Sequence, residues 1–426
     1  MKVRERFIGL EWLRFLLGCY VMVYHTVHIY PQRDKIPFLN ELTSMGFFAT
    51  STFFVLSGFL LTHVYLRDGQ LREPARHFLA KRLFNLYPIH IIGLVSSIVV
   101  VSLMHWLAIP PEGQVASARF VIYDSNDPGV APETLRHYMD NVQLAVNGLL
   151  QLLMLQAWNP YFLTFNAPLW SVSTLFFFYL LFPLLAPRLL GSRYPRLWLV
   201  ALFLLYLLPP VWVIWHQLYG VPYTGLLQRN PLLRLPEFLA GIVGYAIFRQ
   251  YRDGKIPALT WIQGATQRKA LGVFIGLSFI IATWLFTHGE HYWYFLLHNG
   301  LLLPAQVALV CLCAHAREPG SETLKTWATR LGGASLSIFA LHVPLFNLFR
   351  TLEQLLRGNP LQCFTDWQAC IDAAGRVDVS MTGYGVFLLT TVTLCVIFQE
   401  QVVTRMKQSL TERFLTRRFQ PSRSAA

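Results

Sequence analysis

The sequence predicts an all-α membrane protein, a polytopic bundle of about ten transmembrane helices. Of its 426 residues, 54% are hydrophobic and only 13% are charged, whereas soluble proteins carry roughly 25% charged residues. Apolar runs of about 17 to 25 residues recur along the chain, the length of a helix that crosses a bilayer. The first run is too long for a signal peptide and lacks a small-residue cleavage site, so we expect it to remain as the first span.

The hydropathy pattern places ten spans along the chain, at about residues 9–30, 45–66, 86–108, 168–187, 197–216, 232–248, 270–287, 296–314, 333–352 and 383–404. A further apolar segment, 142–157, is interpreted as re-entrant or interfacial. As a full span it would move every later basic loop outside, against the positive-inside rule. We expect residues 1–404 to form the transmembrane domain and 405–426 a basic cytoplasmic tail.

The net charge of +13 follows from this topology. Most of the 35 lysines and arginines fall in segments predicted to be cytoplasmic, which include both termini. The basic surplus therefore orients the protein and contacts anionic lipid headgroups, and we expect no nucleic-acid partner. Without eukaryotic sorting signals, the composition points to a bacterial cytoplasmic (inner) membrane.

Two of the six cysteines, Cys363 and Cys370, lie in a loop predicted to face outside. On an oxidising face they could form a disulfide, although spacing alone does not fix their geometry. The other four lie in predicted spans and are interpreted as small apolar core residues.

The first span carries two ionisable residues, Arg14 and His25, eleven positions apart. Eleven residues turn a helix about 1100°, within about 20° of three turns, and rise about 16 Å. The two side chains therefore share a face, Arg14 toward the cytoplasm and His25 beyond the middle of the membrane. Such groups usually face a bundle interior or a substrate path. The alternative is a snorkelling arginine and a histidine bonded to a neighbouring helix.

Small and basic residues mark the second and third spans. Ser57 and Gly58 lie mid-membrane, where they permit either close helix packing or passage of a thin ligand. Arg76, Lys81 and Arg82 cluster where the third span begins, near free backbone N–H groups that favour anions. They are interpreted either as positive-inside anchors or as a phosphate-binding cluster.

Polar residues also occur where two spans begin on the predicted outer side. Trp170 and Ser171 open the fourth span, and Arg234 and Glu237 open the sixth. Arg234 and Glu237 are three apart and can pair on one helix face, so they indicate either a local ion pair or a polar binding surface.

Span nine carries Ser335, Ser337 and His342 inward along its length. His342 is interpreted first as a hydrogen-bonded buried histidine.

Six stretches, in this order, resemble the acyltransferase 3 family of integral-membrane acyltransferases, over about residues 7–400. They are R-x10-H at Arg14 and His25, FFVLSGFLL at 53–61, KRLFNLYP at 81–88, PLWSVSTLFFFYLLFP at 168–183, RLPEFLAG at 234–241 and ASLSIFALH at 334–342. The family transfers acyl groups, mostly acetyl, from cytoplasmic acyl-CoA to hydroxyls of sugars or other acceptors. The chain departs from the family pattern at Asn85, where many members have a second arginine, and at Leu175, near which many have a glutamate.

The resemblance implies that Arg14 and His25 are the essential pair and that Ser57, Gly58 and Arg82 line the donor path. Arg82 and Lys81 suit the phosphates of acyl-CoA, a co-substrate rather than a tightly bound cofactor, and His25 suits a general base near neutral pH. No metal is expected.

The acceptor, a carbohydrate of the cell envelope or another hydroxyl compound, would pass Trp170, Ser171, Arg234 and Glu237. Two rival functions stay open at this point. One is a transporter or flippase, since buried ionisable residues also mark transport paths. The other is a non-catalytic glycan receptor, which the missing carboxylate at Leu175 would suit.

Overall fold

The computed structural model describes residues 6–67, 69–107, 121–123, 127, 139–252 and 265–416, and the structural statements below concern these residues. Most of the predicted outer loop 109–141 and the end of the predicted tail, 417–426, lie outside them.

Helices form nearly all of the described structure. In chain order they are α1 (Ile8–Thr26), α2 (Leu39–Thr43), α3 (Gly46–Tyr65), α4 (Ala75–Trp106), α5 (Asn141–Leu152), α6 (Trp170–Leu190), α7 (Pro195–Trp215), α8 (Tyr223–Arg229), α9 (Pro231–Arg252), α10 (Ala265–His288), α11 (Tyr292–His298), α12 (Leu303–Ala314), α13 (Glu322–Arg357), α14 (Trp367–Gly375), α15 (Met381–Phe398) and α16 (Thr404–Thr411). Two π-helical segments, Gln399–Val403 and Glu412–Thr416, flank α16.

The described residues also form two short antiparallel ribbons and several short 3₁₀ turns. Strand β1 (Leu66–Arg67) pairs with β2 (Gln70–Leu71), with Leu66 opposite Leu71. Strand β3 (Val121–Tyr123) pairs with β4 (Phe162–Thr164), with Ile122 opposite Leu163.

The predicted all-α polytopic bundle is confirmed. Within the described ranges, nine helical stretches are long and apolar enough to cross a membrane, and they coincide with nine of the ten predicted spans. Helix α1 matches the remaining one, although it ends at Thr26 rather than near residue 30. The cytoplasmic location of both termini stays a prediction.

The ambiguous segment 142–157 does not form a full span. Helix α5 has 12 residues, about 18 Å at 1.5 Å per residue, against a hydrocarbon core about 30 Å thick. Its start is fixed by a capping box, in which Asp140 accepts from the Gln143 N–H at 2.7 Å and the Gln143 side chain accepts from the Asp140 N–H at 3.2 Å. The short helix agrees with the predicted re-entrant or interfacial segment.

Close helix contacts depend on glycine where α3 crosses α9. A Cβ on Gly58 would overlap the carbonyl of Phe238, and a Cβ on Gly241 would overlap the carbonyl of Val55. Each helix therefore presents a glycine to the backbone of the other, as in tightly packed membrane helices. This contact supports the packing interpretation of Gly58.

Helix α1 lies inside the bundle, against α13, α3 and α12. Its contact with α13 is close, because a Cβ on Gly18 would lie 3.3 Å from the Ser335 carbonyl oxygen. This packing brings the polar residues of the first span next to those of the ninth.

The two loop cysteines, Cys363 and Cys370, form the disulfide that the sequence allows, with their Cα atoms 4.9 Å apart. The bond joins the residues just before α14 to that helix. Asp366 caps α14 by accepting from the Ala369 N–H at 3.1 Å.

Candidate active site

A cavity of about 290 Å³ lies between α1, α3, α4, α6 and α13. We call it the Arg14 cavity, after a residue in its wall. Most of the wall is apolar. The polar and charged residues that line it are Glu11, Arg14, Thr50, Ser57, Tyr65, Arg82, Asn85, Ser171, Tyr179 and Ser335.

Arg14 of the predicted essential pair and two of the predicted donor residues, Ser57 and Arg82, meet in this wall although they come from three helices. Arg14 forms an ion pair with Glu11, one turn earlier, at 3.4 Å. Arg82 donates to the Tyr65 hydroxyl at 2.5 Å and stacks over the Tyr65 ring, with 4.8 Å from its guanidinium carbon to the ring centre. The cavity therefore has two arginines in a mostly apolar wall.

The other two predicted donor residues do not line the Arg14 cavity. Lys81 forms an ion pair with Glu73, and Gly58 faces α9, as described above. Their predicted roles toward the donor stay predictions.

His25 lines a second cavity, of about 330 Å³, which we call the His25 pocket. Its other lining residues come mainly from the connection between α1 and α3, with one aromatic residue from α10: Tyr24, Val27, His28, Arg33, Asn40, Thr43, Ser44 and Phe286. Most of these side chains offer hydrogen-bond donors, acceptors or ring faces.

His25 is paired with His342 of α13. The His25 Nδ1 lies 3.0 Å from the His342 Nε2, and the two rings are stacked with an angle of 9° between their planes. The His342 Nδ1 lies 3.1 Å from the carbonyl oxygen of Ile338. His342 is completely buried.

These distances assign the tautomers of the neutral pair. A carbonyl can only accept, so the His342 Nδ1 carries the hydrogen and its Nε2 is an acceptor. The His25 Nδ1–H then donates to that nitrogen. The remaining nitrogen of His25, Nε2, keeps its lone pair and can take a proton.

The predicted acceptor-side residues are not brought to the His25 pocket. Ser171 lines the Arg14 cavity instead and donates to the Pro168 carbonyl at 3.0 Å. Trp170, Arg234 and Glu237 line neither cavity. Their predicted contact with the acceptor stays untested.

Arg234 and Glu237 form a buried ion pair, with 3.1 Å between Nε and Oε2 and about 1–2% of each side chain exposed. Arg234 also donates to Ser51 at 2.7 Å and to the His298 carbonyl at 2.8 Å, while Glu237 accepts from the Tyr206 hydroxyl at 2.8 Å. The pair thus joins α9 to α3, α7 and α11, as the ion-pair interpretation expects.

The sequence analysis missed several residues of these cavities. Glu11 supplies a carboxylate from α1, whereas the family-typical glutamate position near Leu175 offers none, and Leu175 itself lines the same cavity. The three-residue spacing of Glu11 and Arg14 could have indicated their pairing. The polar residues of the His25 pocket lie in a connection that hydropathy does not resolve. No group of three or more metal-ligating side chains occurs in the part of the chain described here.

Fold and cavities together define a polytopic membrane protein with a buried histidine pair. His25 lines a polar pocket, and His342 contacts Phe339, which lines a second, mostly apolar cavity. The sequence model of the acyltransferase 3 family, described as an acyltransferase domain, matches residues 7–400. The chain belongs to this family.

A more local similarity points the same way. Over 164 residues the chain is 29% identical to the acyltransferase MdmB of Streptomyces mycarofaciens. The match covers 38% of this chain and only 33% of that relative. No solved structure matches the chain.

Proposed function

We propose that this protein transfers an acyl group, acetyl by family default, from cytoplasmic acyl-CoA to a hydroxyl of a cell-envelope or extracellular carbohydrate. We place it in a bacterial cytoplasmic membrane. The position of His25 carries the proposal: it lines one pocket and is bonded to His342. The His342 ring contacts Phe339, with 6.2 Å between ring centres, and Phe339 lines the Arg14 cavity. A histidine thus stands between two spaces that could hold two substrates.

The Arg14 cavity suits the donor. The nucleotide of acyl-CoA carries a 3′-phosphate and a diphosphate, which favour the cations Arg14 and Arg82. Its pantetheine arm is roughly 15–20 Å long when extended, similar to the rise of about 16 Å between Arg14 and His25. An arm that follows the apolar wall would bring the thioester close to His25.

The His25 pocket suits the acceptor. Its asparagine, serine and histidine side chains can hydrogen-bond to the hydroxyls of a sugar, and its tyrosine can stack on a sugar ring. An apolar alcohol would leave most of these groups without a partner. An acceptor bound there would present a hydroxyl to His25. This assignment moves the acceptor away from Trp170, Arg234 and Glu237, which lie in other surroundings.

In the proposed reaction the acceptor hydroxyl attacks the thioester carbonyl while the His25 Nε2 takes its proton. The C–S bond of the resulting tetrahedral intermediate then breaks, and the proton passes to the departing sulfur to give free coenzyme A. Neutral His342 accepts the His25 Nδ1–H throughout, so it holds the imidazole in its reactive tautomer and stabilises the imidazolium. His342 is therefore a positioning residue.

The direct test supplies acetyl-labelled acetyl-CoA to purified protein in detergent and follows both free thiol and the label. We expect thiol release that a crude envelope-glycan fraction increases, with label recovered on the glycan. If the fraction changes nothing and acetyl-CoA does not bind in calorimetry, the proposal is wrong.

Arg82→Ala should raise the donor KM by about 10- to 100-fold. Hydrogen bonds to charged groups contribute about 1.5–3 kcal/mol, and the variant removes one cation from the wall. The measurement is acetyl-CoA KM at saturating acceptor. Arg188→Ala is the matched control, because Arg188 is an exposed arginine that donates to the Leu184 carbonyl of its own helix. An unchanged donor KM would remove Arg82 from the donor site.

His342→Leu should lower kcat by about 10- to 100-fold, as loss of a supporting hydrogen-bond partner does elsewhere, while both KM values stay near wild type. Leucine fills the space but cannot accept from His25. His342→Gln offers an amide oxygen as a new acceptor and should recover part of kcat. Equal losses in the two variants would indicate a packing role only.

A further inference from the structure

The chain segment that follows α15 is docked onto the bundle. Glu400, in the first π-helical segment, accepts two hydrogen bonds from Arg330 at 2.6 and 3.0 Å. The neighbouring Gln399 accepts from Ser337 at 2.8 Å. Beyond α16, the Phe414 ring contacts Phe84 of α4, with 5.7 Å between ring centres. Helix α16 is therefore held at both ends against α13 and α4.

This docking brings Lys407 of α16 into a group of cations. Lys407 is half-buried and experiences electrostatic repulsion from Arg82, Arg14 and Lys81. Two acids reduce the repulsion: Glu11 pairs with Arg14, and Glu73 with Lys81. In the described ranges, neither Lys407 nor Arg82 has an acidic partner.

With four cations and only two acids among these residues, the group keeps a net positive charge that a bound anion would neutralise. The Arg14 cavity is lined by two of the four, Arg14 and Arg82. The π-helical turn at Gln399–Val403 widens the helix just before α16 and changes the direction in which the later side chains point, as such turns often do at functional sites.

We propose that Lys407 is a donor-specificity residue, which binds a phosphate of the coenzyme A nucleotide together with Arg82. This inference rests on the proposed function and extends the donor site from the transmembrane helices to the segment that the sequence predicts as a tail. The pantetheine arm would enter the cavity past Arg82, and the nucleotide would stay at the surface between α4 and α16.

The test compares two donors, acetyl-CoA and S-acetylpantetheine, which has the thioester and arm but no nucleotide. Lys407→Gln should raise the acetyl-CoA KM about tenfold, roughly the loss of one charge-assisted contact, with kcat unchanged. The same variant should leave the kinetics with S-acetylpantetheine unchanged. Equal effects on both donors would overturn the inference.

Two further variants make the experiment specific. Arg405→Gln removes the same charge from the same helix, but Arg405 is exposed and bonded to Gln401 at 2.5 Å, so the donor KM should not change. Asn85 lines the cavity one turn after Arg82. The double variant Asn85→Arg/Lys407→Gln therefore returns a cation from α4 and should restore part of the affinity.

Lipid headgroups also carry phosphates, so the kinetics are measured in detergent with and without added phosphatidylglycerol. A KM increase that appears only with the lipid would assign Lys407 to the membrane surface and overturn the inference. If wild type consumes acetyl-CoA while Lys407→Gln has an unchanged KM, this inference alone is wrong. If wild type neither consumes nor binds acetyl-CoA, the proposed function is wrong as well.

Discussion

Replacing His25 with alanine should lower kcat for acyl transfer by about 10²- to 10⁴-fold, the range that a general base contributes. Alanine removes the only ring nitrogen that the tautomer assignment leaves as a base in the histidine pair. The donor KM should change little, because the cationic residues of the Arg14 cavity remain. The measurement is thiol release from acetyl-CoA, with labelled acetyl recovered on the acceptor.

The control for this variant is a comparison of its folding with that of wild type. His25→Ala and wild type should give the same elution profile in detergent and similar melting temperatures. His28→Ala is the matched histidine variant, since His28 lines the same pocket without a bond to His342, and it should affect the acceptor KM more than kcat. Full kcat in a well-folded His25→Ala protein would contradict the assigned role.

Removing Glu237 should destabilise the fold by about 3–5 kcal/mol, the cost of breaking a buried ion pair from one side. Glu237→Ala leaves the guanidinium of Arg234 buried without its counter-charge and removes the shorter of two hydrogen bonds that the Tyr206 hydroxyl donates, at 2.8 Å to Glu237 and 3.3 Å to the His298 carbonyl. The measurement is the denaturant midpoint in detergent, followed by tryptophan fluorescence.

The double variant Arg234→Met/Glu237→Leu tests the cause of that loss. It removes both charges, so it should be less destabilised than Glu237→Ala. Glu322→Ala, which removes an exposed ion pair with Lys325, should leave the midpoint unchanged. If Glu237→Ala instead melts like wild type and raises the acceptor KM, the residue belongs to the acceptor site, as the sequence analysis predicted.

The helix content and the number of spans could be predicted because the bilayer imposes a length on each apolar run. Span one shows the limit of that argument. Its apolar run continues to Tyr30, yet α1 ends at Thr26 and short 3₁₀ turns follow. These turns, with the connection to α3, form most of the His25 pocket. The hydropathy pattern therefore did not reveal the pocket that we propose for the acceptor.

The sequence predicts relations within one helix, but not contacts between distant parts of the chain. The shared face of Arg14 and His25 follows from helical periodicity. The contact between His25 and His342 joins positions 317 apart in sequence, and no local pattern encodes it. Ser171 is a similar case. Its place at the start of a span predicted a position at the outer rim, whereas the packed helices place it in the wall of the Arg14 cavity.

The separation of His25 from His342 also sets an order of events during synthesis. At roughly 5–20 residues per second, the ribosome would complete α13 well after α1 has entered the membrane. During that interval Glu11, Arg14 and His25 of α1 lie in the membrane before α13, the helix that packs against α1, has been made. Before α13 is made, the neighbours that can shelter α1 in the bundle are α3 and α12. A chain that is cut before α13 contains the proposed general base but lacks its partner, His342.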